Sequence, residues 1–494
     1  MTQPALTTPP NTSCPAAPRG VLASLSLAML LSSLGTSIAN VGLPTLAQAF
    51  GASFQQVQWV VLAYLLAITT VVVSVGRLGD LLGRRRLLLA GIALFTGASL
   101  LCGLAPSLWL LIVARAVQGL GAAVMMALAM ALVADAVSKE RTGSAMGLLG
   151  TMSAVGTALG PTLGGALIAG WGWPALFFIN LPLGGAALWL AHRCLPADRE
   201  RAATQRPRFD IAGTVLLAAT LAAYALAMTL GRGHWGALNA VLLAGAGVGL
   251  ALFVGVEYRA GGRVGGAAPL VPLALFSKGP ALGAGFAMGA LVTTVVMATL
   301  VVGPFYLSGA LGLGAAQVGL AMSCGPLVSA LAGVPAGGLV DRLGTQRTTV
   351  AGLIAMAAGS AALALLPTGL GVTGYVSALA VITAGYALFQ AANNTAVMAA
   401  TALQPQQRGV TSGLLNLSRN LGLVTGASAM GAVFAWGAGS QGIATAQPGA
   451  LGAGMQATFG VAAVLVGVAL GIARVARSSS RPRTDRPGET PVGQ

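Results

Sequence analysis

Charge is scarce in this sequence. Only 7% of the 494 residues are Asp, Glu, Lys or Arg, and 56% are hydrophobic. A soluble protein needs about a quarter of its residues charged to cover its surface, so the composition excludes a soluble globular chain. Apolar runs of about 20 residues recur along the chain, and each is long enough to cross a bilayer. Because these runs do not alternate polar and apolar residues as barrel strands do, we predict an all-α integral membrane protein.

Cysteine and histidine are also few. The four cysteines and two histidines show no metal-ligand or disulfide spacing: Cys14, Cys102, Cys194, Cys324, His192 and His234. No glycine-rich loop is followed by Lys-Ser or Lys-Thr, so nucleotide hydrolysis is not expected. We predict no metal, no cofactor and no enzymatic activity. The alternative, a polytopic membrane enzyme, would need a catalytic cluster at a membrane face.

Acidic residues number 10 against 26 Lys and Arg, which gives a net charge of +16. The basic residues fall almost entirely in alternate connecting loops, the pattern typical of cytosolic loops. It predicts a multi-pass protein of the plasma membrane with both termini in the cytosol, and it requires no nucleic-acid partner. The acids are all predicted in cytosolic loops or at helix ends: Asp80, Asp135, Glu140, Asp198, Glu200, Asp210, Glu257, Asp341, Asp485 and Glu489.

Fourteen transmembrane helices are predicted, in the order six, two and six. A disordered cytosolic tail (1–20) precedes a six-helix bundle (21–192). Linkers with two extra helices (193–278), a second bundle (279–473) and a basic cytosolic tail (474–494) follow. The predicted helices span roughly 21–43, 56–75, 87–105, 108–134, 143–168, 175–192, 211–230, 237–256, 279–305, 315–339, 348–366, 372–400, 409–435 and 453–473.

A charged turn at 76–86, between the second and third predicted helices, recurs 261 residues later. Such a repeat is typical of transporters built from two similar halves. By itself either turn could be only a positively charged anchor. The residues singled out are Gly76, Asp80, Gly83, Arg84 and Arg85 in the first turn, and Gly337, Asp341, Arg342 and Gly344 in the second.

Small residues line one face of the predicted fifth helix. Gly156, Gly160 and Gly164 are spaced four residues apart, so another helix can pack backbone to backbone against them. Pro161 should bend the helix there. Gly165 completes the motif. The pattern is compatible with ordinary helix packing and with a flexible contact between bundles.

Arg115 is predicted to lie about 10–12 Å inside the membrane, counted from the outer end of the fourth helix. A charge at that depth costs at least ~2.5 kcal/mol and needs a partner or a polar cavity. The alternative is a structural arginine that snorkels to the surface. Gln118 follows one turn later, and the two residues form a predicted charged core.

Together these motifs resemble the fourteen-helix drug:proton antiporter branch of the major facilitator superfamily, over nearly the whole chain. The turn 76–86 is similar to the family's loop signature, Arg115 with Gln118 and Gly119 to its helix 4 signature, and Gly160-Pro161 with its neighbouring glycines to its helix 5 signature. The resemblance implies two pseudo-symmetric six-helix bundles that export drugs or antibiotics in exchange for protons. It also implies that the charged turns latch the bundles and that the fifth helix is a flexible contact between them.

One family position is changed. The family's helix 1 carries an acid that works beside the helix 4 arginine, and Gly35 stands in its place here. Because Gly35 is predicted at the depth of Arg115, the ion pair cannot form, which leaves proton coupling open. Arg115 is then expected to give the cavity an uncompensated positive field that favours neutral or acidic substrates over cations.

Polar residues inside the predicted helices are candidates for cavity lining, although each alone is more often an interhelical hydrogen bond. The first candidates are Asn40, Tyr64, Gln118, Gln390 and Asn393. The sequence favours a monomeric exporter of hydrophobic small molecules, whose partners are the lipid bilayer, its substrate and, where the family's coupling is retained, protons. Rival hypotheses are an uncoupled or differently coupled carrier, uptake included, and a scaffold or receptor.

Overall fold

The computed structural model describes residues 18–136, 142–196, 198, 211–230, 236–261, 280–365, 370–400, 408–439 and 446–479. Within these residues all regular structure is helical. This agrees with the sequence prediction, because a helix satisfies its own backbone N–H and C=O groups where no water is present.

Helices fall into a first half, a middle pair and a second half. The first half contains α1 (Pro18–Val41), α2 (Leu43–Ala49), α3 (Phe54–Leu82), α4 (Arg84–Gly103), α5 (Leu108–Ala136), α6 (Thr142–Trp171), α7 (Ala175–Phe178) and α8 (Asn180–Cys194). The middle pair is α9 (Ile211–Thr229) and α10 (Ala237–Gly261). The second half contains α11 (Pro280–Phe305), α12 (Ala315–Leu343), α13 (Thr345–Ala364), α14 (Gly371–Ala400), α15 (Arg408–Thr425), α16 (Gly431–Gly437) and α17 (Pro448–Ser479). A π-helical turn, Tyr306–Ala310, extends α11, and a second one, Gly426–Met430, joins α15 to α16.

Thirteen helices in the described part of the chain are long and apolar enough to cross a membrane. They coincide with thirteen of the fourteen predicted helices. The remaining one, predicted at 409–435, is helical through α15, the π turn and α16, but it carries Arg419 among several polar residues. A polytopic all-α membrane fold is therefore confirmed, while the number of crossings stays a prediction.

Both charged turns are shorter than predicted. The helix α3 runs to Leu82 instead of ending near residue 75, so Gly83 alone separates it from α4. In the second half Gly344 alone separates α12 from α13. The prediction was wrong because an apolar run marks only the bilayer thickness, and a helix can continue beyond it. Gly83 has φ +93° and Gly344 φ +80°, so the sequence repeat is also a repeat of backbone conformation.

The two halves also repeat the packing of their first helix on their fifth. In the first half, a Cβ added at Gly156 of α6 would lie 2.5 Å from the Leu30 carbonyl oxygen of α1. In the second half, a Cβ at Gly422 of α15 would collide with the Ala290 carbonyl of α11. Gly422 follows Gly156 by 266 residues. Each half therefore brings two helix backbones into direct contact at an equivalent glycine.

The middle pair of helices joins the bundle through α9. Trp59 of α3 donates a hydrogen bond from its indole N–H to the Thr229 hydroxyl (3.1 Å). The hydroxyls of Ser74 and Thr214 lie 3.1 Å apart near the other end of the two helices. The helix α9 also contacts the π turn Gly426–Met430. It therefore lies beside both halves, whereas α10 packs mainly on α9.

Replacing Gly83 with alanine should destabilise the fold. The new residue would be held at a positive φ that costs about 1–3 kcal/mol, and its Cβ would collide with the Asp198 carboxylate. Gly344→Ala meets only the backbone cost, since nothing lies within 4 Å of a Cβ there. Thermal unfolding of the purified protein in detergent should therefore give a lower midpoint for Gly83→Ala than for Gly344→Ala.

The control is Gly97→Ala, at an open helical position of α4 where an added Cβ meets nothing within 4 Å. We expect this variant to unfold at or above the midpoint of the unmodified protein, because alanine favours a helix. Equal midpoints for Gly83→Ala and Gly97→Ala would contradict the role assigned to Gly83.

Candidate functional site

A cavity of about 450 Å³ lies between the two halves. It is lined by α1, α5 and α6 on one side and by α11, α12, α14 and α15 on the other. A site of this size suits a drug-sized molecule. The lining residues are Met29, Met126, Met130, Gly150, Ser153, Ala154, Thr157, Gly289, Thr293, Pro326, Ser329, Tyr386, Phe389, Gln390, Asn393, Asn394, Leu415, Asn416, Ser418 and Arg419.

The cavity occupies one end of the bundle. On α5 and α14 its lining residues come from the C-terminal half of each helix, on α6 from residues 150–157 in and just past the N-terminal half, and on α15 from the middle of the helix. The loops that join these helix ends, 137–141 and 401–407, are those that the arginine distribution predicts to be cytosolic. The cavity therefore faces the predicted cytosolic side.

Contacts between α6 and α12 close the opposite end. A Cβ added at Gly165 would lie 2.7 Å from the Ala315 carbonyl oxygen and 3.0 Å from the Cα of Gly319. A Cβ at Gly319 would collide in turn with the Pro161 carbonyl. The two halves thus meet backbone to backbone at these residues, with no space for a side chain.

An aromatic cluster and one hydrogen bond close the same end between α3 and the second half. The ring of Phe54 lies 4.6 Å from that of Phe305, edge to face, and 5.4 Å from that of Phe434, measured between centroids. The Gln58 side-chain amide donates to the Ala427 carbonyl in the π turn (3.0 Å). All of these contacts cross from one half to the other.

Arg419 carries the positive charge of the cavity. It is half-buried on α15, and no acidic side chain that the structure describes lines the cavity or pairs with it. Arg419 is not among the predicted site residues, because the family motif places the membrane-embedded charge on helix 4. A visible signal was available: Arg419 lies inside a predicted helix, between Asn416 and Asn420.

Arg115 lies outside the cavity. It is fully buried between α3, α4 and α5, where its Nε donates to the Val60 carbonyl (2.9 Å) and its Nη1 to Gln118 Oε1 (2.5 Å). Gln118 in turn donates to the Ser99 hydroxyl (2.6 Å). The guanidinium carbon stands 4.1 Å from the centre of the Tyr64 ring. The expectation that Arg115 charges the cavity is wrong, because these neighbours enclose it.

Tyr64 fills the space that the missing helix 1 acid would need. Its hydroxyl donates to the Ser32 carbonyl (2.8 Å), which brings it beside Gly35. A Cβ added at Gly35 would lie 3.0 Å from that hydroxyl and 3.1 Å from the Phe95 ring. The arginine therefore stacks on an aromatic face here, where the family pattern would give it a carboxylate.

The structure separates the five predicted cavity residues, of which Gln118 lies with Arg115 outside the cavity. Gln390 and Asn393 line the cavity, and the Asn393 amide also donates to the Gly285 carbonyl (3.1 Å). Asn40 and Tyr64 do not line it. Both are fully buried, and the Asn40 amide donates to the Thr36 carbonyl of its own helix (3.0 Å).

The glycines of α6 face two different neighbours. Gly156, Gly160 and Gly164 pack on α1 inside the first half. Gly165 faces α12 across the closed end, and the carbonyl of Pro161 approaches Gly319 there. Among these contacts, those of Gly165 and of the Pro161 carbonyl with α12 are the ones that join the two halves.

The first charged turn has a partner that the sequence did not predict. Asp198, which follows α8, accepts hydrogen bonds from the backbone N–H of Arg85 (2.8 Å) and of Arg86 (3.1 Å). It caps the N-terminus of α4, where Gly83 offers no side chain. The Arg85 side chain donates to the His192 carbonyl (2.6 Å). The turn therefore binds α8 to α4.

The remaining latch residues lie within or near the ends of α3 and α12. Gly76 and Asp80 lie within α3, and the side chain of Asp80 is outside what the structure describes. Gly337 lies within α12, and Asp341 and Arg342 near its end are exposed. Their predicted role in latching the bundles stays a prediction.

The chain belongs to the Major Facilitator Superfamily, whose family model matches residues 25–427. It is 32% identical over 427 residues to the multidrug resistance protein Stp of Mycobacterium tuberculosis, covering 84% of this chain and 75% of the relative. It is 31% identical to the riboflavin transporter RibZ of Clostridioides difficile, covering 84% of this chain and 88% of the relative. The multidrug transporter protein MdtP of Bacillus subtilis is 28% identical, over 84% of this chain and 74% of the relative.

Solved structures show the same fold. A bacterial homologue of the human lysosomal transporter Spinster superposes with a TM-score of 0.67 at 16% identity, covering 94% of this chain and 97% of the other. The nucleoside transporter NupG gives 0.61 at 11% identity, covering 93% and 100%. The protein is therefore a multi-pass membrane transporter with the major facilitator fold.

The stacking of Tyr64 on Arg115 predicts an order of stability. Tyr64→Leu removes the ring and should destabilise the protein by about 2 kcal/mol, the value of a desolvated cation–π contact. Tyr64→Phe keeps the ring and should therefore destabilise the protein less than Tyr64→Leu does. The measurement is the temperature at which each purified variant loses its monodisperse peak in size-exclusion chromatography. If Tyr64→Phe and Tyr64→Leu lose it together, the hydroxyl and not the ring is what matters.

Proposed function

We propose that the protein exports hydrophobic small molecules, such as drugs or antibiotics, across the plasma membrane by alternating access. One observation carries the proposal: the cavity lies between two similar halves, faces the predicted cytosolic side, and is closed at the other end by contacts between the halves. A rearrangement of the halves that separates α6 from α12 would open the cavity to the other side.

The cavity lining supports a hydrophobic substrate. Three methionines from the first half, Met29, Met126 and Met130, face Phe389 and Tyr386 from the second. Methionine adapts its shape to different ligands, and aromatic rings offer large contact areas. Amide and hydroxyl groups among them supply orienting hydrogen bonds. Stp and MdtP, which are similar over most of this chain, both carry multidrug names.

The closed end provides a test of alternating access. Gly165→Val should abolish export, because the new side chain would hold α6 away from α12 and prevent the cavity from closing at that end. Gly170→Ala lies in the same helix, has open space around it, and should export normally. The measurement is drug susceptibility and dye efflux in cells that make equal amounts of each variant. Full resistance in Gly165→Val cells would contradict the proposal.

Proton antiport is the coupling that we propose for export. A second candidate, a carrier without proton coupling, is favoured by the lack of an acidic side chain among the described residues of the cavity. In liposomes that enclose a pH-sensitive dye, the two candidates differ: antiport should change the luminal pH when substrate is added, and an uncoupled carrier should move substrate without that change. Empty liposomes given the same substrate are the control for its own proton leak.

A further inference from the structure

The charge of the cavity is unbalanced within the described part of the chain. Arg419 lines the cavity, and none of the described carboxylates lies there with it. A charged side chain in the membrane is expensive unless an opposite charge or a polar cavity accompanies it. Its backbone is also fixed, because the Thr293 hydroxyl of α11 donates to the Arg419 carbonyl (3.2 Å). The charge is thus presented to the cavity from a rigid helix.

The internal repeat shows that the fold does not require an arginine at this position. The sequence Gly147-Leu148-Leu149 recurs as Gly413-Leu414-Leu415, which pairs Arg419 with Ser153 of α6. Ser153 also lines the cavity, and its hydroxyl lies 2.6 Å from that of Ser33 in α1. In both halves the fifth helix packs on the first helix, with Ser153 at this position in the first half and Arg419 in the second. The arginine is therefore available for a ligand.

The surroundings of Arg419 fit an anion with a hydrophobic body. Gln390 and Asn394 on the adjoining α14 bring amide N–H donors to the same cavity. A guanidinium with such donors suits a carboxylate or a similar oxyanion, since bidentate and charge-assisted hydrogen bonds are the strong ones. The methionines of α1 and α5 line the facing wall and suit an apolar ring system.

We propose that Arg419 is the anion-recognising residue of the cavity and that the substrates are amphipathic organic anions. This inference rests on the proposed export function and names the substrate class for it. The anionic group binds at Arg419 beside α14, and the apolar rings lie against the methionines of the first half. A cation of similar size would meet the positive field of Arg419 with no described acid to offset it.

Two dyes with the same xanthene ring system test the proposal: fluorescein, an anion, and rhodamine B methyl ester, a permanent cation. Fluorescence anisotropy of each dye with the purified full-length protein in detergent gives its Kd. We expect the unmodified protein to bind fluorescein more tightly than the cation. Arg419→Ser, which copies the repeat, should weaken fluorescein binding at least about tenfold. Arg419→Lys should lie between, because it keeps the charge but loses the bidentate geometry.

The control is Arg347→Ser, which removes one positive charge from an exposed position at the start of α13. It should leave both Kd values unchanged. Unchanged fluorescein binding in Arg419→Ser, or tighter binding of the cation by the unmodified protein, would overturn the anion site. An Arg419→Ser variant that elutes as the unmodified protein does in size-exclusion chromatography excludes misfolding as the cause of lost binding.

Transport in liposomes separates the inference from the proposed function. Fluorescein movement that disappears in Arg419→Ser supports both. If the cation is transported and fluorescein binding does not depend on Arg419, the anion site is overturned and the export proposal stands. If fluorescein binding depends on Arg419 but neither dye is transported, the export proposal is contradicted and the anion site remains supported.

Discussion

Direct contact between helix backbones is the constraint on which the rest of this structure depends. Lipid is as apolar as leucine, so helices in a membrane associate through close packing and not through the hydrophobic effect. Glycine permits that packing at equivalent places in both halves: Gly91 meets Gly121 between α4 and α5, and Gly352 meets Gly385 between α13 and α14. A Cβ at Gly121, Gly352 or Gly385 would lie under 3 Å from a facing backbone atom, and one at Gly91 would lie 2.5 Å from the Val124 side chain. The cavity exists because such contacts hold each half together while the halves stay apart at one end.

Two arginines in this frame have opposite environments. Arg115 is enclosed by the Val60 carbonyl, Gln118 and the Tyr64 ring, which contact its guanidinium within the first half, although its Nη2 is buried without a hydrogen-bond partner among the described residues. Arg419 reaches a cavity in which the described residues offer it no carboxylate. Burial of a charge costs several kcal/mol unless it is paired. The hydrogen bonds and the aromatic ring around Arg115 offset only part of that cost. Arg419 can be solvated by water in the cavity or paired with an anionic ligand, and this is the reason for assigning it a role in substrate binding.

The sequence was sufficient for the fold because hydropathy, loop charge and an internal repeat are all local patterns. It also located Gln390 and Asn393, which line the cavity. It failed where the outcome depended on contacts between distant segments. The stacking of Tyr64 on Arg115 joins α3 to α5, and Asp198 caps α4 from beyond α8. The family motif also directed attention to helix 4, although an arginine inside a predicted helix of the second half was equally visible.

Two kinds of specific contact help to hold the closed end shut. Two aromatic pairs involving Phe54 contribute about 0.5–1.5 kcal/mol each beyond their buried area. The hydrogen bond from Gln58 to the Ala427 carbonyl contributes about 0.5–1.5 kcal/mol more. Opening breaks these contacts, worth a few kcal/mol, and also separates α6 from α12, while one charge crossing a potential of 100 mV yields about 2.3 kcal/mol. A ligand shifts a two-state equilibrium only by the difference between its binding free energies to the two states. An anion at Arg419 that binds one state more tightly by about 2.3 kcal/mol would therefore shift the equilibrium between the closed and the open state by that amount.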